Sequence, residues 1–253
     1  MKPLSIQLYS LRAEAEKDFT AVLKKVAAIG YAGVEPAGFW DLSPAEFKKI
    51  VSDLGMEVSS SHSPWCRSMD NVSEAIETAG ILGVDKVACG YGRNEFKDLD
   101  SIKKLADIVN PMREKLAENG ITLFQHNHEF EFERLPDGRL AYDAYLDRCP
   151  DVKLELDTYW SANFGKEDPY EMLKKFRHRA ILLHIKDGDF NPERTMLAAG
   201  DGVMNFPHVL EAMDPEVTQW LVVELDACKT DMFEAVEKSY NYLTRNGLAK
   251  GNK

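Results

Sequence analysis

Short apolar runs alternate with longer stretches in which apolar residues recur every three to four positions, and this alternation runs the length of the chain. Ser5-Ile6-Gln7-Leu8-Tyr9 reads as a strand, and Phe19, Val22, Leu23, Val26 and Ala27 predict a helix ending at Ile29, stopped by Gly30. Gly33-Val34-Glu35-Pro36 is a second short strand. Ser43-Pro44-Ala45-Glu46 then opens a helix, with Ser43 as cap, Pro44 in the first turn and Glu46 completing a capping box, and Gly55 ends it after Leu54. The unit repeats: strand 56–61, helix 72–82, strand 86–89, and helix 101–118, which Asn119-Gly120 stops. Strand 121–127 is the fifth, 153–157 the sixth, 181–185 the seventh and 221–224 the eighth; residues 171–176 belong to a helix, and a helix over 232–243 closes the chain.

Eight strands, each followed by a helical or irregular crossover, in 253 residues predict an α/β protein of the (β/α)8 TIM-barrel type. No linker interrupts the pattern, so residues 1–253 are expected to form one domain. The competing architecture, a doubly wound open sheet, usually carries a glycine-rich first turn. Here that turn is Tyr9-Ser10-Leu11-Arg12, and neither GxGxxG nor GxxxxGK[ST] occurs in the chain, so no dinucleotide or P-loop site is supported. Two segments depart from the alternation. Residues 130–142 (FEFERLPDGRLAY) read as a β-hairpin inserted after strand five, and 187–206, with Gly188, Gly200 and Gly202, as a long loop after strand seven.

Barrel strands are covered on both faces and should be apolar throughout. Several break this rule at their C-terminal ends, the end that carries active sites in such barrels. Strand five ends in His126-Asn127-His128, strand six at Asp157, strand seven at His184 with Lys186-Asp187 beyond, strand eight at Glu224, and His62 follows strand three. Taken singly, each is better explained as a satisfied polar residue or a helix cap, as Asp157 or Asp187 could be, and Glu155 could simply pair with a neighbour. Together, imidazoles and carboxylates converging on one mouth would be costly to bury without a cation. A divalent metal resolves that cost, and mixed His and carboxylate ligands suit Mn, Zn, Co or Fe better than Ca or Mg alone. Tyr9, Phe39, Trp40, Trp65, Tyr159 and Trp160 all follow predicted strands, where rings can pack on the apolar face of a sugar or simply on the rim.

Composition narrows the partners. Lys and Arg number 31 against 42 Asp and Glu, a formal net charge of −11, which repels phosphate backbones and argues against nucleic acid as partner. The four cysteines (Cys66, Cys89, Cys149, Cys228) are far apart and form no CxxC pair, so buried free thiols are expected rather than a disulfide framework. The N-terminus has neither the apolar core nor the cleavage site of a signal peptide, and no run of about 20 apolar residues offers a membrane span, so a cytoplasmic location with no membrane partner is expected. A homo-oligomer is compatible with the sequence.

Along its whole length the chain resembles the xylose-isomerase-like barrel superfamily, which includes sugar (phosphate) isomerases and epimerases, inosose dehydratases and endonuclease IV-type enzymes. The resemblance rests on Gly33-Val34-Glu35, the segment from His126 to Phe132, Leu156-Asp157-Thr158, His184 to Asp187, Gly200-x-Gly202 with Phe206 nearby, and Val223-Glu224-Leu225-Asp226. It implies one divalent ion (Mn, Zn, Co or Mg) held by Glu, Asp, His and Glu from strands five to eight. Asp157, His184 and Glu224 match the last three; where the first Glu would fall the chain has His126, and Glu131 is expected as the ligand instead, with His126 its close competitor. His128 would then face substrate.

The resemblance further implies a metal-polarised carbonyl on a keto sugar or cyclitol and proton abstraction beside it, that is, isomerisation or epimerisation. An imidazole on strand five makes the proton chemistry asymmetric, which suits dehydration or β-elimination from a keto sugar, inosose or 3-keto-glycoside as well. Glu224, His126 and His128 are the candidate base and acid. Lys186 is expected either to neutralise a developing oxyanion or to pair with Asp157 or Glu155, and Tyr9, His62, Trp65 and Trp160 are expected to contact substrate. An endonuclease IV-type activity needs about five histidines around a trinuclear zinc cluster and a basic face, whereas this chain has six histidines in all and is acidic. A sugar-binding barrel without catalysis is the remaining alternative.

Overall fold

In the computed structural model, which describes residues 1–253, β1 (Lys2–Gln7) pairs in parallel on both sides, Ser5 opposite Gly33 of β2 (Gly33–Glu35) and Leu4 opposite Leu221 of β8 (Trp220–Val223). The remaining strands are β3 (Glu57–Val58), β4 (Lys86–Cys89), β5 (Thr122–His126), β6 (Lys153–Asp157) and β7 (Ala180–Ile185), in the spatial order β3-β2-β1-β8-β7-β6-β5-β4. The ring closes beyond the short β3, where Ser61 bridges Val87 in parallel and its carbonyl accepts the Ala88 N–H at 2.9 Å. A ninth short strand, β9 (Ala249–Lys250), pairs with the start of β1 at the bottom of the barrel.

The helices are α1 (Arg12–Ile29), α2 (Pro44–Asp53), α3 (Val72–Leu82), α4 (Arg93–Phe96), α5 (Leu99–Ala117), α6 (Ala141–Arg148), α7 (Pro169–Phe176), α8 (Phe206–Glu211) and α9 (Met232–Arg245). At α2 the expected capping box is present: Ser43 Oγ accepts the Glu46 N–H, and Glu46 accepts the Ser43 N–H at 2.8 Å. The first helix starts earlier than the periodicity predicts, because it is two helices meeting at Asp18. That residue is non-helical (φ −162°, ψ 93°) and its Oδ1 accepts the Ala21 N–H at 2.8 Å, so the apolar repeat beginning at Phe19 marks the second segment.

The segment after β5 is less strand-like than expected. A 3-10 turn occupies Phe130–Phe132, and the antiparallel pairing is a single bridge, Arg134 to Leu140, around a turn in which Gly138 has φ 86°. The second arm becomes α6 instead, since Ala141, Tyr142, Tyr145 and Leu146 can all be buried on a helix. The long segment after β7 is irregular but tied down. Asp187 accepts the backbone N–H groups of Gly188 (2.9 Å), Gly200 (2.9 Å), Gly202 (3.1 Å) and Met204 (3.1 Å). A Cβ at position 202 would lie 2.1 Å from Asp187 Oδ1, so glycine is required by that close approach.

Successive strand residues face opposite sides of the sheet. Val87, Leu123 and Leu183 join the large apolar layer between barrel and helices, whereas Ala88, Phe124 and Leu182 form a small separate cluster with Ile181, against which Trp65 packs. On that inner face the same two-residue step leads from Phe124 to His126 and from Leu182 to His184. Stability therefore resides mainly in the outer layer, and the inner face is released for polar side chains. Cys66, Cys89 and Cys149 are buried free thiols and Cys228 is half-buried. No helix is long and apolar enough to cross a membrane.

Asp187→Ala is expected to lower stability by about 2–4 kcal/mol, because it leaves several loop N–H groups without an acceptor. Chemical denaturation should show the loss, with faster hydrogen exchange concentrated between residues 188 and 204; unchanged exchange there would show that Asp187 does not hold the loop.

Candidate metal centre

The polar strand ends do meet. His126 ends β5, Asp157 ends β6, His184 lies near the end of β7 and Glu224 follows β8, with Asp157 in register opposite His184. One donor atom from each lies within 4.8 Å of the others, and all four residues are buried. His126 Nδ1, Asp157 Oδ2, His184 Nδ1 and Glu224 Oε2 are each buried without a hydrogen-bond partner. His184 Nδ1 stands 2.8 Å from Glu224 Oε2 and 3.9 Å from Asp157 Oδ2, but neither contact is an aligned hydrogen bond. A buried donor or acceptor left unpaired costs roughly 1–3 kcal/mol, more if charged. Lys186 alone stands against the two carboxylate oxygens, and two imidazoles and two carboxylates with donor atoms this close fit a divalent transition ion.

Asp157 serves two purposes. Its Oδ1 accepts the N–H groups of Tyr159 (3.0 Å) and Trp160 (2.8 Å), as a cap does, and this fixes the carboxylate with Oδ2 turned into the cluster. Burial raises its pKa to about 6, against the lowering effect of Lys186 and His184. Glu131 stands apart from this group. The 3-10 turn after β5 folds its carboxyl back onto the strand end, where Oε2 accepts the His128 N–H at 2.9 Å, and burial lifts its pKa well above the carboxylate range. The place expected for Glu131 in the donor set is thus filled by His126, which the strand itself aims inward.

A second polar layer lies beneath. Glu35 and Glu155 are fully buried, and His184 Nε2 stands 3.0 Å from Glu35 Oε2 and 3.1 Å from Glu155 Oε1. Gln7 Nε2 donates to Glu35 Oε2 at 2.8 Å, the Ser60 hydroxyl donates to Glu35 Oε1, and His62 Nε2 lies 2.5 Å from Glu155 Oε2 and 3.4 Å from Glu35 Oε1. Burial penalises both carboxylates. At Glu155 the charges and hydrogen bonds of His184 and His62 overcome it and hold the pKa well below the ordinary value, whereas Glu35, also repelled by Glu155, is raised. Glu155 therefore pairs with histidines rather than with Lys186. The alternation that turns Asp157 inward also turns Glu155, two residues earlier, inward, a signal readable once the barrel is assumed.

Above both layers opens a cavity of about 320 Å³, the low end of small-ligand sites. Tyr9, His62, Trp65, His126, His128 and Glu224 all line it, together with Gln7, Arg67 and Asp226, which had not been expected there. Trp160 is not among the lining residues; its ring sits 5.4 Å from Lys186 Nζ, beside Tyr159 and Phe164. Phe39 and Trp40 pack instead on Phe47 and Phe19 of the helical layer. Lys186 is buried with Nζ 2.7 Å from Glu224 Oε2, 2.8 Å from Asp226 Oδ2 and 3.1 Å from Asp157 Oδ2. Burial would lower its pKa, but these carboxylates raise it well above the ordinary value, so it is a permanent cation beside the donor set. His128 is the opposite case, pushed down to about 4 by burial and by Lys186, and is neutral at pH 7.

In metal-stripped protein, His126→Ala, Asp157→Ala and His184→Ala should each abolish binding of Zn²⁺ or Mn²⁺ in calorimetric titration, while Glu131→Ala retains it; the reverse pattern would return Glu131 to the donor set. The depressed His128 pKa makes the unfolded chain bind more protons than the folded one between about 4 and the ordinary value of 6.5. Its contribution to stability is full above that window and lost as pH falls through it. Denaturation of wild type and His128→Gln at a series of pH values should therefore show wild type losing stability relative to the variant on acidification across that range; parallel curves would show that His128 does not titrate differently on folding.

The sequence matches the description of a xylose isomerase-like TIM barrel over residues 23–245. Among solved structures, a sugar phosphate isomerase/epimerase from Parabacteroides distasonis is 29% identical, with a TM-score of 0.82 over 98% of this chain and 96% of that one. The 3-keto-D-glucoside 4-epimerase YcjR from E. coli is 15% identical (TM-score 0.74, covering 97% and 100%), and the IOLI protein, solved with a binding zinc atom, is 18% identical (TM-score 0.73, covering 98% and 98%), likenesses that establish shared architecture. No curated protein matches in a comparison of sequences. With the family pattern matched over most of its length and the barrel built accordingly, the chain belongs to the xylose isomerase-like TIM barrel family.

Proposed function

We propose that the protein is a divalent-metal-dependent isomerase or epimerase of a small keto sugar or cyclitol. The observation that carries this reading is the convergence of donor atoms from four buried residues, His126, Asp157, His184 and Glu224, of which His126 and Glu224 also line a cavity of about 320 Å³. His126, Asp157, His184 and Glu224 would hold a divalent ion, which would supply Lewis acidity worth several kcal/mol to a carbonyl compound as negative charge develops on its oxygen. The protein supplies the rest. Glu224 borders both the donor set and the cavity, so its carboxylate can take a proton from the carbon next to that carbonyl; positioned bases contribute about 10²–10⁴-fold. His128, neutral and in the cavity wall, is placed to hydrogen-bond a substrate hydroxyl and return or relay the proton. Lys186 keeps a fixed positive charge against Glu224 and Asp157, which favours negative charge developing nearby. Tyr9 and Trp65 offer rings on which the apolar face of a sugar can pack.

The pairing of a carboxylate, Glu224, with an imidazole, His128, around one cavity also favours a second outcome of the same first step: loss of a β-hydroxyl, with the enzyme acting as a lyase. The similarity to a sugar phosphate isomerase/epimerase at 29% identity supports the first outcome.

The test is solvent exchange. Protein loaded with Mn²⁺ or Zn²⁺, given ketoses, 3-keto-glucosides and inososes in D₂O, should incorporate deuterium at the carbon beside the carbonyl of its substrate, read by proton NMR. Glu224→Gln should slow that exchange by about 10²-fold or more. Absence of exchange across the panel with a metal-loaded protein, or full exchange in the variant, would remove this mechanism.

A further inference from the structure

His184 stands between two layers of the barrel, and its two ring nitrogens face different company. Nδ1 points up at Asp157 Oδ2 and Glu224 Oε2 and has no hydrogen-bond partner. Nε2 points down at two fully buried carboxylates, Glu35 Oε2 at 3.0 Å and Glu155 Oε1 at 3.1 Å. The lower set, Glu35, His62, Glu155 and His184, also has donor atoms within 4.8 Å of one another, so both layers are composed of ligand-type residues. They differ in how they are engaged. In the lower layer Gln7 and Ser60 already donate to Glu35 and His62 already bonds Glu155 Oε2, which leaves only Glu155 Oε1, facing His184, without a hydrogen bond of its own. In the upper layer Asp157 Oδ2, His184 Nδ1 and Glu224 Oε2 make no hydrogen bond, and only the charge of Lys186 stands against the two carboxylate oxygens.

We propose that Glu35 and Glu155 are positioning residues that hold a proton on His184 Nε2 and so present the Nδ1 lone pair to the metal, with His62 joining this lower layer to the substrate cavity. The inference rests on the metal-dependent reading above and deepens it. A ring nitrogen facing two carboxylates keeps its hydrogen, which leaves only the other nitrogen as a ligand, and the negative charge below makes that nitrogen a better donor. The carboxylates are themselves fixed: Glu35 by Gln7 of β1 and by Ser60, and Glu155 by His62. Two strands and a connecting segment with no residue in the upper donor set, β1, β2 and the chain after β3, thereby act on it. His62 touches both carboxylates and also lines the cavity, so ligand contact at His62 reaches the metal ligand through one intermediate residue.

The experiment uses zinc alone. Metal-stripped wild-type protein and the isosteric variants Glu35→Gln and Glu155→Gln are titrated with Zn²⁺ by calorimetry, and ¹⁵N-histidine NMR is recorded on the zinc-loaded wild type. The inference expects His184 with Nδ1 metal-bound and Nε2 protonated, and affinity about 10–100-fold weaker in each variant at an unchanged thermal midpoint in chelator. Glu35→Asp should recover part of the loss at Glu35, since it restores the charge. Zinc bound through Nε2 would place the ion in the lower layer and overturn the proposal, and the wild-type spectrum decides this even if a variant fails to fold. Unchanged affinity in both variants would overturn it too, while leaving the metal centre standing. Wild-type protein that binds no zinc would instead bring down the metal-dependent reading on which it rests.

Discussion

Burying several carboxylates in the middle of a barrel is the constraint around which this molecule is arranged. Glu35, Glu155 and Asp157 are completely buried and Glu224 nearly so, Glu35 beside Glu155 on one side of the His184 ring and Asp157 beside Glu224 on the other. Removing such charges from water costs several kcal/mol each unless they are paired and hydrogen-bonded. The structure meets that cost from inside, with Lys186 against Asp157 and Glu224 and with His184 and His62 against Glu155 and Glu35. His184 belongs to both sets, and neither carboxylate layer could keep its present form if that ring were displaced. The surrounding apolar layer, packed between sheet and helices, carries the stability that lets the inner face be this polar.

The same arrangement sorts the titratable groups by role. Lys186 is held positive and Glu155 negative, whereas His128 is held neutral in the cavity wall. Each state has a named cause in burial or a specific neighbour, and none requires an unusual backbone. Similar residue types thus do different work a few ångströms apart: His126 offers a nitrogen to the donor set, His128 faces the cavity, and His184 bridges the layers. The loop after β7 is held by the Asp187 carboxylate through four backbone N–H groups, which anchors the chain immediately beyond His184 and Lys186.

Much of this was readable in advance because a barrel strand buried on both faces has no use for a polar residue. His126, Asp157, His184 and Glu224 stood out as exceptions at strand ends, and the structure brings them together. Glu131 stood out equally in the sequence, yet a single turn of 3-10 helix carries its carboxyl back to the His128 N–H. Linear spacing does not report which way such a turn folds. Trp160 follows a strand just as Trp65 does, but the cap that Asp157 makes to its N–H places it beside Lys186 and off the cavity wall. Residues 130–142 mislead in the same manner: alternation and a Pro-Asp-Gly turn suggest two strands, but the second arm gains more by burying Tyr142 and Tyr145 on a helix.

Period and punctuation along the chain were enough to determine the order of the eight barrel strands, most of the helices between them and the end at which polar groups collect, because each depends on neighbours no more than a few residues apart. Which nitrogen of His184 faces which carboxylate, that Glu35 and Gln7 reach His184 of β7 from the opposite side of the ring, and that His126 rather than Glu131 clusters with Asp157, His184 and Glu224 were decided only by closure of the sheet. Those contacts join residues as many as 149 positions apart, and their geometry exists only when strand register and barrel curvature bring them within hydrogen-bond reach.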